Sequence, residues 1–247
     1  MFPWIVDGVL LFVLAPALVV DLRERRIPDW VTFPGVLGGW VVWGGFWGWG
    51  VSSTSLPLQL LLLAGFALFL LLEERLPDRP LSALVLIGLG CLLWWGFKNW
   101  GFSATAPGLQ TSLAGGVLAF LCFELFSLFS LFVDLWRLVR TPEEGDEPAS
   151  AIGGGDVKLF GAVGALVGFP SALGVVFFVA LAGGVQGVAA FLARTRPGRF
   201  VCRRIGMTGT DRPEFGATVP YGVAIVLGTT AFRLWQHAIL WTQSQAP

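Results

Sequence analysis

Uninterrupted apolar runs of about twenty residues recur along the whole chain, and each is long enough to cross a bilayer as a helix. Eight such spans can be drawn, at approximately 3–20, 30–49, 56–72, 81–97, 109–133, 152–168, 170–193 and 217–241. Only 13% of the 247 residues are charged, where a soluble domain carries roughly a quarter. Lipid is therefore the expected solvent, and the expected fold is all-α, a polytopic membrane bundle of about eight helices. No soluble stretch is long enough to bury a second core, so residues 1–247 read as one membrane domain. The 33 glycines suit close helix packing and the 12 tryptophans suit membrane interfaces.

Composition also excludes function classes. The net charge is zero, which gives no electrostatic footprint for nucleic acid. Cys91, Cys122 and Cys202 are far apart and form no CxxC pair, so no metal site is indicated. The N-terminal stretch has its positive charges after the apolar run, unlike a cleaved signal peptide, and reads as a retained first helix.

The basic residues predict the orientation. If the chain alternates across the membrane, 14 of the 16 Lys and Arg residues fall on one side, with Lys98 and Arg233 the exceptions. That side is expected to be the cytoplasm of a cell inner membrane, with both termini outside. The acidic segment 141–150 then becomes a cytoplasmic loop. It is read either as a solvated linker or as a weak attractor of basic substrate segments.

Two acids lie where apolar spans meet that side: Asp21, at the end of the first span, and Asp156, at the opening of the sixth. Charge in or near a bilayer is costly and calls for a partner or a function. Two carboxylates brought together share a proton, because one resists ionisation beside the other. Such a pair can hydrolyse an amide: the ionised member takes a proton from water and the protonated member donates to the carbonyl oxygen or leaving group. This chemistry needs neither metal nor cofactor. Gly153, Gly154 and Gly155 before Asp156 permit close backbone approach, or provide simple flexibility before a helix.

The wider strings resemble the prepilin peptidases, the type IV leader peptidases of the GxGD aspartyl class. Asp21 is followed by Arg23-Glu24-Arg25-Arg26 and Ile27-Pro28-Asp29, with Thr32 and Pro34 beyond. The second block is Gly153, Gly155, Asp156, Lys158 and Leu159, followed by Gly164 and Gly168. Looser matches are Ala114-Gly115-Gly116 and Val219-Pro220-Tyr221-Gly222. The resemblance implies that Asp21 and Asp156 are the catalytic pair, with Gly153, Gly155, Lys158, Ile27, Pro28, Asp29 and Glu124 shaping the site or binding substrate. It implies a prepilin or pseudopilin partner with a short basic leader, a glycine at the cleavage point and a hydrophobic helix after it. The family's bifunctional members carry an additional N-terminal domain with paired CxxC motifs; neither occurs in this sequence, so peptidase without N-methyltransferase activity is expected. The interval between the two acids is longer than usual, and residues about 50–108 read as an inserted helical pair.

Several residues have more than one reading. Glu124, a lone acid within the fifth span, is a third member of the site, a helix–helix hydrogen bond or a protonated packing residue. Lys158 tunes the pair, binds a substrate carboxylate or snorkels to the interface. Asp7, near the outer interface, is read as structural. His237, the single histidine, lies near the outer end of the last span and rules out a His-based triad on the cytoplasmic face. The rival functions are a presenilin-like intramembrane protease, whose Tyr-Asp motif is missing from the sequence, and a non-catalytic membrane scaffold or transporter.

Overall fold

The computed structural model describes residues 3–24, 27–47, 108–140, 154–194 and 221–245, together with isolated helical residues between 64 and 98. The expected spans at 56–72 and 81–97, the inserted pair about 50–108, the acidic loop 141–150, Gly153 and most of the arginine-rich stretch after residue 194 lie essentially outside these residues. The described regular structure is all-helical. Six helices dominate: α1 (Pro3–Glu24), α2 (Asp29–Trp47), α3 (Leu109–Arg140), α4 (Gly154–Val167), α5 (Ser171–Arg194) and α6 (Tyr221–Gln245). Four contain a segment long and apolar enough to cross a membrane: Trp4–Glu24, Leu109–Ser130, Ser171–Ala189 and Tyr221–Gln245.

The other two helices depart from the sequence expectation for different reasons. Five glycines and four tryptophans within Asp29–Trp47 dilute the apolar character of α2. Helix α4 has only 14 residues, about 21 Å of rise, short of a hydrocarbon core of roughly 30 Å. It is instead the centre of the bundle, with every residue from Val157 to Val167 buried. Helix α3 has 32 residues, and its apolar portion ends at Ser130, so about three turns continue past it.

Small residues bring α4 against its neighbours. Without a strong hydrophobic drive between helices in lipid, association depends on close van der Waals approach. A β-carbon on Gly39 of α2 would lie 2.8 Å from the Ala165 carbonyl, and Gly115 of α3 lies against the backbone of Gly164 and Gly168. The end of α4 is sealed by its neighbours. The Trp43 indole N–H donates to the Leu166 carbonyl at 2.8 Å, and the Ser112 hydroxyl donates to the Ala165 carbonyl at 2.6 Å. These side chains satisfy carbonyls that the last helical turn leaves open. Gly168, at φ 71°, then turns the chain toward α5. Helices α5 and α6 close the bundle through Phe178, Phe232 and Trp235, whose ring centroids lie 5.8–6.0 Å apart.

Candidate active site

Asp21 belongs to α1, which continues through Glu24. The apolar pattern stops at residue 20, but the helix carries on for one more turn. Asp21 is only 4% exposed. Its carboxylate rests on Gly222 in the first turn of α6, where an added β-carbon would lie 2.5 Å from Asp21 Oδ2. Gly222 is thus a recess that admits the acid.

Asp156 enters from the opposite sequence direction, in the first turn of α4. It is partly buried. The Tyr221 ring is held edge-on to Phe123 at 5.5 Å, and Phe123 packs on Phe160 at 4.0 Å.

Two further contacts join the sequence blocks around the acids. Gly155 sits against the backbone of Ile27: a β-carbon there would lie 2.6 Å from the Ile27 carbonyl oxygen. Lys158 donates to Asp29 Oδ1 at 2.8 Å, with the lysine side chain 8% exposed and Asp29 25% exposed. This lysine is therefore a buried, ion-paired residue and not one reaching for the membrane interface. Pro28 starts the turn into α2, its carbonyl accepting the Val31 N–H at 3.1 Å. Asp29 occupies the first turn of that helix, where the helix dipole favours negative charge.

Asp21, Ile27, Pro28, Asp29, Gly155, Asp156 and Lys158 therefore gather at one end of the bundle, from α1, α2 and α4. Glu124 is 6% exposed on α3. Gly153 lies outside the described residues. Among the described residues, no group of three or more His, Cys, Asp or Glu side chains has the arrangement of a metal site. Sequence reasoning left Tyr221 and Gly222 out of the site proper, although the Pro-Tyr-Gly string was visible. A glycine carries no chemistry of its own, and its importance comes from the carboxylate lying on it.

The two acids sit at opposite helix poles. Asp21 is in the C-terminal turn of α1, where the negative end of the helix dipole opposes ionisation, and it is the more deeply buried of the two. Asp156 is in the N-terminal turn of α4, where the positive end supports ionisation.

A comparison with known sequences adds a family. Residues 71–188 match the model of the type IV leader peptidase family. The match includes Gly155, Asp156 and Lys158, and Asp21 lies before its start. No curated protein and no solved structure matches the chain. The match spans just under half of the chain, and over residues 71–188 the chain is similar to the type IV leader peptidase family.

Proposed function

We propose that this protein is a membrane aspartyl endopeptidase that removes the basic leader from prepilin-like substrates at the cytoplasmic boundary of the inner membrane. Asp21 and Asp156 form its catalytic pair. The observation that supports this reading is the packing that joins the two acid-bearing blocks: Asp21 lies on Gly222 of α6, and Gly155, next to Asp156, is seated on Ile27, six residues past Asp21.

The helix poles assign a role to each acid. Asp156 carries the negative charge and takes a proton from water as the water oxygen attacks the scissile carbonyl carbon. Asp21 holds its proton and donates it to the carbonyl oxygen. Collapse of the gem-diol intermediate breaks the carbon–nitrogen bond: the proton held by Asp156 passes to the leaving amine, and one hydroxyl of the intermediate returns its proton to Asp21 as the new carboxyl forms. Every proton is accounted for by the two carboxyls and one water. The glycines before Asp156 leave backbone open for an extended substrate segment.

The test uses purified full-length protein in detergent or vesicles. A peptide with a basic leader, a glycine and a following apolar helix should be cut after the glycine, as read by N-terminal sequencing of the product. Asp21→Asn and Asp156→Asn should each abolish the cut. Full turnover by either variant would overturn the assignment.

A further inference from the structure

Glu124 is a buried acid in an apolar helix, and three independent helix registers show what lies beside it. Helices α3 and α4 run antiparallel: Gly116 faces Ala165 and Phe120 lies on Gly161. One turn farther along each helix pairs residue 124 with residue 157, the neighbour of both Asp156 and Lys158. Helices α2 and α3 are also antiparallel, with Gly44 facing Leu109. Fifteen residues along each from that contact, Glu124 is level with Asp29. Helices α2 and α4 run parallel, with Gly35 facing Ala162, and at this same level Lys158 bonds Asp29 at 2.8 Å.

The three registers converge on one layer containing Asp29, Glu124 and Lys158. Leu113, Val117, Phe120, Glu124 and Ser127 form a single buried stripe on α3, so the Glu124 side chain turns into the bundle and not toward lipid. A carboxylate so placed needs hydrogen-bonding and charge compensation. Among the described residues Lys158 is the one buried cation, and its ammonium group offers three donors, of which Asp29 Oδ1 takes one.

We infer that Glu124 is the second carboxylate of a buried clamp on Lys158, and acts as a positioning residue for the catalytic pair. The catalytic consequence rests on the peptidase reading above; the clamp itself does not. Asp29 from α2 and Glu124 from α3 hold Lys158 of α4 from two sides, directly or through one water. Lys158 is two residues beyond Asp156, so the clamp fixes the first turn of α4 against its neighbours. It also places one surplus negative charge near the acids. Among the described residues, the charged and titratable groups at this end of the bundle include Asp21 from α1, Asp29 from α2, Asp156 and Lys158 from α4, and Tyr221 from α6.

A double-substitution cycle tests the clamp without any substrate. Glu124→Gln and Lys158→Met should each lower the thermal unfolding temperature of the full chain in detergent, and the pair together should cost clearly less than the sum. Additive losses would overturn the clamp. Where Glu124→Gln alone does not fold, the triple variant Asp29→Asn, Glu124→Met, Lys158→Met should fold, since all three ionic partners leave together; failure of that variant would count against the inference.

Cleavage kinetics then test positioning. Glu124→Gln should lower kcat roughly ten-fold with KM held, and Glu124→Asp should recover part of the loss. Removing negative charge makes the shared proton easier to lose, so the alkaline limb of the pH profile should move down in Glu124→Gln and up in Lys158→Met. Unmoved limbs, or a loss carried by KM alone, would overturn the positioning role. A chain that cuts no leader peptide, or still cuts with Asp21 or Asp156 amidated, would instead sink the peptidase reading and leave the unfolding cycle to judge the clamp.

Discussion

The bundle carries a cluster of charges at each end of α1, and the two are built to different rules. Around Asp7, one acid meets two basic groups. Arg233 donates through Nε to Oδ1 at 2.6 Å, and His237 Nε2 lies 2.7 Å from Oδ2. Arg233 is further tied to Gln236 at 2.6 Å, and Gln236 reaches Ser171 at 3.4 Å. About 21 Å away along α1, Asp21 lies at the end of the bundle where Lys158 pairs with Asp29 at 2.8 Å and Asp156 opens α4, the layer to which we assign Glu124. The first arrangement matches charge and staples α1 to α6. In the second, among the described residues, the acids outnumber the one buried cation, the arrangement in which the proposed pair would share a proton. Matched charge holds a bundle together; surplus charge of one sign gives it chemistry.

The sharpest way to break this contrast is to neutralise the surplus. Asp156→Asn removes the base and should take cleavage below detection. Asp21→Asn has no acidic proton to give the carbonyl oxygen and should likewise take cleavage below detection. Next in size is Gly222→Ala, whose new β-carbon would lie 2.5 Å from Asp21 Oδ2. It should cost roughly 10²-fold in kcat by displacing that acid, while the unfolding temperature changes little. Asp7→Asn, at the other end, should leave kcat/KM per folded molecule intact and lower stability by about 1.5–3 kcal/mol, seen as earlier thermal unfolding. His237→Gln should do least. His237 is 41% exposed, so its pairing with Asp7 is worth below about 1 kcal/mol, and cleavage should match wild type. A fall in kcat from either Asp7→Asn or His237→Gln would erase the distinction between the two ends.

Periodicity made much of the scaffold readable in advance. The starts near Pro3, Asp29, Leu109, Ser171 and Tyr221 follow from apolar runs meeting polar or turn residues. Hydropathy misplaced the end of the first helix because it reads transfer free energy, whereas the helix ends where its hydrogen-bond ladder does, beyond Asp21. It also read α4 as a membrane span, because a helix buried in protein and one facing lipid are equally apolar. The two acids stood out because charge beside an apolar run has few cheap explanations. The Lys158–Asp29 pair, 129 residues apart in sequence, follows only once α2 and α4 are known to run side by side. Arg233 broke the charge asymmetry of the sequence, and the structure supplies the reason: Asp7 neutralises it locally.

The short central helix has a consequence for how the protein sits in different membranes. Bilayers of unequal thickness act on helices that touch acyl chains, which respond by tilting. Helix α4 is wrapped by α2 and α3 and suspended at its far end by Trp43 and Ser112, so it has no lipid-facing surface on which such a force can act. The depth of Asp156 is thereby referenced to protein and not to the thickness of the surrounding film. Turnover in vesicles of short-chain and long-chain lipids should differ far less than the tilt of α5, whose outward face takes up the mismatch.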